Sequence, residues 1–168
     1  MAWDRLPRQP VLRGPLLTLG VLWALPVSLV GLLVGAVALG FGAHARLRSD
    51  DLALVFQKFP WGPGGAITLG NVILHTGQDL ACPCRTYACR AGLVEEPFIS
   101  MADHERAHVY QYMVLGVLFL PLYLLSGGAI SERNRFEQAA DRYALTGRDW
   151  WPWTGVTATG AGRRARGD

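Results

Sequence analysis

The sequence predicts an α+β protein, with one N-terminal transmembrane helix followed by a small domain of short β-strands and two helices. Three observations support this prediction. An uncharged apolar run lies near the start of the chain, short alternating or β-branched segments follow it, and two helix-like segments with paired polar residues lie in the second half. At 168 residues the chain has room for one modest domain, and its 51% hydrophobic content exceeds what a soluble domain usually needs.

The N-terminal helix is predicted from charge and length. No residue between Arg13 and His44 carries a full charge, and this run exceeds the ~20 apolar residues that cross a bilayer core. We therefore assign a basic N-terminal segment to residues 1–14 and a transmembrane helix to residues 15–43 of a single-pass membrane protein. A cleaved signal peptide is the alternative, since arginines precede the run and small residues follow it.

The same end of the chain suggests partners. Gly31 and Gly35 form the GxxxG pattern that lets two membrane helices approach closely, which would give a homodimer. The net charge of +3 comes mostly from arginines at the two ends, without the aromatic-interleaved basic stripe of a nucleic-acid-binding protein. We therefore expect membrane lipid, and no nucleic acid, as a partner. The arginines before the run favour a main domain outside the cytoplasm.

The domain is assigned to residues 50–147. Residues 51–59 alternate as a short strand does, and the β-branched stretch 66–77 is a second strand candidate after the turn-rich WGPGG. One helix is predicted to begin at Ser100, whose side chain can cap it, and another to run from near Ser131 to Gly147.

The segment "ISMADHERAHVYQY" carries the first candidate site. On a helix, His104 and His108 stand one turn apart on a single face, so their imidazoles can bind one tetrahedral Zn²⁺. Glu105 lies one residue round the turn, beside the metal without being a ligand, where it could take a proton from water as a general base. The alternative is a pair of surface histidines on an amphipathic helix.

A hydrolytic zinc site needs a third protein ligand, and the segment "NRFEQAADRYA" supplies a candidate. Glu137 and Asp141 are again four residues apart and share a helical face. Glu137 is the predicted third ligand, and Asp141 is predicted to accept the spare ring N–H of a ligand histidine. An ordinary solvated acidic face is the alternative.

"HERAH" followed by "EQAAD" resembles the gluzincin type of zinc metallopeptidase, with His-Glu-x-x-His on one helix and a downstream glutamate, often with an aspartate four residues later, on a second. The resemblance covers residues 66–145 and implies a zincin-like domain that hydrolyses peptide bonds in a peptide or protein substrate. It gives ligand roles to His104, His108 and Glu137, the general-base role to Glu105 and the orienting role to Asp141. It also implies that "AITLGNVI" forms an edge strand for extended substrate. "HERAHVYQ" is similar to a zincin-like subgroup with a glutamine at the position of Gln111, to which no role is assigned.

The shared metal constrains the apolar segment 112–128. A simple membrane crossing there would place Glu137 on the opposite side from His108, so we predict a buried core helix or an interfacial dip that returns. Residues 148–168 are predicted as an aromatic anchor, "DWWPW", and a disordered basic tail, with a packed aromatic cluster as the alternative for the former.

The remaining motif is a loop with Cys82, Cys84 and Cys89. With His75 these could form a second zinc site, while a disulfide or an inert loop with free thiols are the alternatives.

For the whole chain, the sequence favours a membrane-anchored zinc metallopeptidase over a noncatalytic membrane protein with a structural or vestigial metal site. The donor for the oxyanion stays open among tyrosines and arginines of the two helices: Tyr110, Tyr112, Arg135, Arg142 and Tyr143.

Overall fold

The computed structural model describes residues 10–95, 98–128 and 132–154, with side chains from residue 14 onward. Within these residues the α+β prediction is confirmed. The elements in chain order are α1 (Pro10–Leu39), β1 (His44–Arg48), β2 (Ala53–Gln57), β3 (Ala66–Leu69), β4 (Val72–His75), β5 (Pro83–Arg85), α2 (Tyr87–Arg90), β6 (Phe98–Ser100), α3 (Met101–Leu115), α4 (Phe119–Leu125) and α5 (Arg135–Thr146). The basic tail from residue 155 onward lies outside the described residues.

A four-stranded sheet lies at the centre of the fold, with the strand order β1-β2-β4-β3. β2 and β4 are parallel, whereas β1 pairs with β2 and β3 pairs with β4 in antiparallel fashion. β5 and β6 form a separate two-stranded sheet. β3 is therefore an open sheet edge, and it contacts α3.

The predicted strand 51–59 contains β2, but the prediction of one strand over residues 66–77 is wrong. That stretch is a hairpin in which β3 and β4 pair from Ala66 opposite His75 to Leu69 opposite Val72. Gly70 reverses the chain with φ 65°, a left-handed conformation that favours glycine. The local β-branched composition did not reveal the turn, because glycine inside a strand pattern also occurs at bulges.

α1 packs against the domain along one face. A Cβ at Gly31 would lie 2.8 Å from the Cβ of Val72, and one at Gly35 would lie 2.2 Å from the Phe56 ring. The two glycines therefore make room for the sheet of their own chain. The homodimer through this patch stays a prediction, and α1 shares its core with the domain that follows it.

Two segments are long and apolar enough to cross a membrane by length and composition, Gly14–Leu39 and Met101–Leu125. The first could be a membrane span or a signal sequence. The second is interrupted at Gly116, where φ is 56° and α3 ends. The rings of His108 and Phe119 lie 6.0 Å apart, although eleven residues of straight helix would separate them by about 16 Å. The chain thus turns back after Gly116, as the prediction of a shared metal site requires.

α5 ends at Gly147 as predicted, with the glycine in the left-handed conformation at φ 69°. The predicted start at Ser131 lies outside the described residues, and the helix itself begins at Arg135. Its cap is Asn134, whose side chain accepts a hydrogen bond from the Phe136 N–H. For α3, Ser100 is the residue before the first turn, but its side chain makes no capping bond, so that part of the prediction is wrong.

The segment predicted as an aromatic anchor lies partly inside the protein and partly at its surface, where Trp153 is 44% exposed. Trp150 is buried, and its ring lies 5.7 Å from those of Tyr110 and Trp151. Its neighbours in this cluster include the fully buried Ala107 and Ala140 of α3 and α5. The packed-cluster alternative therefore describes Trp150.

Candidate metal centre

Three side chains from two helices converge on one point. The Nε2 atoms of His104 and His108 are 3.3 Å apart, and they lie 3.0 Å and 3.3 Å respectively from Oε2 of Glu137. All three residues are buried. Among the described residues, this is the one group of histidine, cysteine or carboxylate side chains whose donor atoms lie close enough together to hold a metal ion.

The spacing of these donor atoms fits a metal. Nitrogen and oxygen ligands about 2.0–2.1 Å from a tetrahedral ion lie roughly 3.3 Å from one another. The three observed separations are close to this value, which leaves the fourth corner of the tetrahedron without a protein ligand. The predicted set of His104, His108 and Glu137 can therefore hold a metal ion.

Local sequence explains how the helices meet. α3 places His104 and His108 on one face because they are four residues apart. The contact between α3 and α5 is lined by small side chains, and Ala107, Ala139 and Ala140 are all fully buried. Small residues allow the two helices to approach closely, which brings Glu137 within reach of both imidazoles.

Asp141 lies where the sequence predicted, one helical turn after Glu137. Its Oδ1 is 3.0 Å from Nδ1 of His104, and its Oδ2 accepts the Tyr87 N–H at 2.8 Å. Since an ionised carboxylate only accepts hydrogen bonds, Nδ1 carries the ring proton. Nε2 of His104 is then free to face a metal.

Gln111 orients the second histidine, a role that sequence reasoning missed. Its Oε1 lies 2.8 Å from Nδ1 of His108. Its Nε2 donates to the carbonyl oxygens of Trp150, at 2.9 Å, and Phe136, at 3.3 Å. Carbonyls only accept, so they fix which end of the amide faces the imidazole. The position of Gln111 three residues after His108 was the available signal.

Glu137 also has a partner on its second oxygen. The Tyr123 hydroxyl, in α4, donates to Oε1 while Oε2 faces the histidines. Tyr123 lies in the returning part of the apolar segment 112–128, which the sequence linked to the site only through topology. Each of the three candidate ligands is therefore held by a further hydrogen bond.

The charges of the cluster favour a positive species at its centre. Burial disfavours charged histidine, but hydrogen bonds to Asp141 and Glu137 outweigh it and raise the pKa of His104 to about 10. Burial is also outweighed at His108, whose pKa is raised by the Glu137 carboxylate. Although burial opposes ionisation of Glu137, the two histidines hold the pKa of this carboxyl well below its usual range. The site therefore binds protons strongly, and a metal cation would compete with these protons for the same nitrogen and oxygen atoms.

Glu105 lies beside the cluster and is buried. Its Oε2 accepts a 2.6 Å hydrogen bond from the hydroxyl of Thr68 in the edge strand β3. Thr68 is a further residue that the motif did not reveal, because it lies 37 positions before Glu105. The glutamate is thus anchored by one oxygen at the boundary between α3 and the sheet.

A cavity of about 260 Å³ opens above these residues. The residues that line it belong to β3, to the segment with Phe119, Leu120 and Tyr123, and to the cluster with Glu105. Of the five donors considered for an oxyanion, Tyr112 is the one that lines this cavity. Its buried hydroxyl has no hydrogen-bond partner within the described residues.

The three cysteines do not take part in the candidate metal centre. Cys82, Cys84 and Cys89 are free thiols. None of them, nor His75, belongs to a metal-holding group among the described residues. Burial, followed by the neighbouring Cys82, raises the pKa of the Cys84 thiol to about 11. The alternative of a second zinc site is not supported.

Comparisons of the chain with protein-family models, with curated proteins and with solved structures found no match.

Proposed function

We propose that this protein is a membrane-associated, zinc-dependent peptidase. The observation that carries the proposal is the convergence of His104, His108 and Glu137 on one metal position, with Glu105 beside it in a cleft bounded by an open sheet edge. The resemblance of "HERAH" and "EQAAD" to the gluzincin pattern agrees with this geometry.

Zinc is the metal that best suits the donor set. A hydrolytic zinc site commonly has two imidazole nitrogens and one carboxylate oxygen as protein ligands, with the fourth position left open. A bound zinc ion would supply a Lewis acid that polarises the scissile carbonyl and increases the acidity of water. Asp141 and Gln111 keep the two imidazoles in the tautomer that presents Nε2 to the ion.

Glu105 is the proposed general base. Its carboxylate takes a proton from the attacking water and then gives a proton to the leaving amine. Thr68 holds Oε2, so Oε1 is the oxygen left to exchange protons. The unpartnered Tyr112 hydroxyl in the cavity wall is the proposed donor to the developing oxyanion.

Substrate is proposed to bind along β3. As an edge strand, β3 presents backbone N–H and C=O groups that can pair with an extended peptide. Ala66, Ile67, Thr68 and Leu69 all line the cavity, so a peptide paired with this strand would pass over the metal position.

The test compares Glu105→Gln with Glu137→Gln. Glu105→Gln leaves all three ligands in place, so zinc content and folding should stay at the parent level while peptide hydrolysis falls by about 10²- to 10⁴-fold. Glu137→Gln weakens a ligand and should lower zinc content and hydrolysis together. Measurements are metal analysis and hydrolysis of a peptide panel by detergent-purified protein. Undiminished hydrolysis in Glu105→Gln, or no hydrolysis by the zinc-loaded parent, would contradict the proposal and favour a structural metal site.

A further inference from the structure

The outer face of α1 is a long surface without charge. Between residues 14 and 43 its exposed large side chains are all apolar, and they include Leu19 at 64%, Leu33 at 69% and Val37 at 58% exposure. The exposed Thr18 hydroxyl is satisfied within the helix by the Gly14 carbonyl. The opposite face of the helix is buried against the domain.

This surface continues onto the segment that bounds the cavity. A Cβ at Gly116 would lie 2.7 Å from Nε1 of Trp23, so the turn after α3 packs directly on α1. The residues that follow are again exposed and apolar, with Leu124 at 66% and Leu125 at 84% exposure. Leu120, also exposed, lines the cavity itself. One apolar face, made of the outer side of α1 and residues 117–125, therefore reaches the mouth of the site.

The packing of the sheet against α1 limits the orientations that this helix can take in a bilayer. Near the midpoint of the apolar segment Gly14–Leu39, the Ser28 hydroxyl accepts the Asn71 N–H from the β3–β4 turn. One turn later, Gly31 contacts Val72 and Leu69. If α1 crossed the membrane, the open edges of this sheet would lie at the level of the hydrocarbon core. Lipid-exposed sheet edges do not occur there, because their unpaired backbone groups have no partners.

We propose that α1 lies along the bilayer surface and not across it, with the apolar face buried in one leaflet. The cavity then receives an extended segment of a membrane protein at that surface. The assignment of the substrate rests on the proposed function, whereas the orientation of α1 does not.

A bilayer fits this face better than a second copy of the chain does. Protein interfaces carry about one hydrogen bond per 100–200 Å², and this face offers uncharged helix surface along ~39 Å on which the Thr18 hydroxyl is already bonded within the helix. At the end of α1, the exposed rings of Phe41 and Trp61 pack edge to face, 5.2 Å apart. Aromatic side chains at the border of an apolar face are typical of the membrane–water interface, at the level of the lipid headgroups.

The orientation is tested by the depth of labels in vesicles of phosphatidylcholine and phosphatidylglycerol. Single cysteines replace Leu19, Leu29, Val37, Leu125 or the control Leu145 of α5, in a chain whose three native cysteines are serine and whose thermal unfolding is unchanged. Each carries an environment-sensitive fluorophore, quenched by lipids with spin labels at different depths. We expect similar depths at Leu19, Leu29 and Val37, lipid contact at Leu125 and water at Leu145. A Leu29 label much deeper than the other two would show a crossing helix, and protection that depends on protein concentration but not on lipid quenchers would show a dimer; either result overturns the proposal.

The substrate class is tested with one peptide sequence in two forms, free in solution or joined to a transmembrane segment in the same vesicles. The parent should cleave the membrane-joined form faster by about tenfold or more, since both molecules share one surface. Leu124→Glu with Leu125→Glu should remove that advantage without slowing cleavage of the free peptide, whereas the control Leu145→Glu should change neither rate. Equal cleavage of both forms by the parent overturns the substrate class alone. No cleavage of either form overturns the proposed function, and the labels decide the orientation independently.

Discussion

At the scale of single residues, the hydrogen bonds around the candidate ligands are as informative as the ligands themselves. His104 is held by Asp141 and His108 by Gln111, so each imidazole has a partner that fixes its ring proton on Nδ1. One partner is charged and the other neutral. Since a carboxylate makes its imidazole more basic than an amide does, the two histidines are chemically distinct.

Replacement of Gln111 should therefore weaken metal binding without removing a ligand. Gln111→Leu keeps the side-chain size but loses the acceptor for His108, and zinc affinity should fall by about 10- to 100-fold, the usual effect of such outer partners. Competition with a chelator measures the affinity, and ¹⁵N chemical shifts of the histidines report the tautomer. In Gln111→Glu an acceptor for His108 is restored, but the second carboxylate oxygen faces the carbonyls of Phe136 and Trp150, so affinity should recover only in part. Parent-level affinity and an unchanged His108 tautomer in Gln111→Leu would show that the amide serves packing only.

The sequence could predict the residues of the candidate metal site but not all of their hydrogen-bond partners. His104, His108, Glu137 and Asp141 follow from the helical repeat of four, which is a local property. Thr68 and Tyr123 come from other elements, whose positions depend on tertiary packing. Gln111 was visible at a helical spacing, but its role depends on two carbonyls, from Phe136 and Trp150, that only the fold brings to it.

At the scale of elements, the connection between α4 and α5 holds the site together. Asn134 caps α5 through Oδ1, while its Nδ2 donates to the carbonyls of Tyr123 and Gly128, each at 3.1 Å. One fully buried side chain thus links the helix that carries Glu137 to the helix that carries its partner Tyr123. The sequence predicted α5, but it placed the start of this helix near Ser131. For the segment that contains α4 it left a buried core helix and an interfacial dip as alternatives.

Asn134→Ala should destabilise the protein by about 2 kcal/mol, from a lost cap of ~1 kcal/mol and two carbonyls left without their donor. Asn134→Ser is the matched control, because it retains a cap acceptor and loses the amide donor without adding a charge. We expect the serine variant to lie between the parent and the alanine variant in urea unfolding in detergent. If alanine and serine lowered stability equally, the cap would contribute nothing and the linkage to α4 would account for the whole effect.

At the scale of the whole molecule, α1 shows why hydropathy alone could not determine the architecture. Length and composition are the same for a spanning helix and for a core helix with one exposed apolar face. The structure adds that Gly31 and Gly35 contact a sheet whose strands come later in the chain. The GxxxG spacing is present in the sequence, but it does not identify the packing partner. A helix and a sheet can both approach closely where side chains are absent.

At the buried cluster, protons and metal bind the same groups, so the free energy of unfolding should depend on both pH and metal. Without metal, the folded protein holds a proton on His104 with a pKa of about 10, whereas unfolded histidine titrates near 6.5. A raised folded pKa contributes stability that is fully present below pH ~6.5 and is lost as pH rises through the folded value. The lowered pKa of Glu137 keeps this carboxylate ionised throughout the same range, so its contribution does not change. The melting temperature of the metal-free protein should therefore fall between pH 6.5 and pH 9, owing to the histidines.

Zinc should reverse this trend, because it binds the deprotonated imidazoles and displaces their protons. The increase in melting temperature on adding zinc should be small at pH 6.5 and larger at pH 9. Tryptophan fluorescence during heating, with chelator or with zinc in detergent, measures both states. Glu105→Gln retains every ligand but removes a charge that helps to raise the pKa of both histidines, so it should keep the zinc effect with a weaker pH dependence. His104→Ala should lose most of the zinc effect at both pH values. A zinc effect in the parent that is equal at the two pH values would show that protons and metal do not compete at His104 and His108, and it would remove these histidines from the metal site.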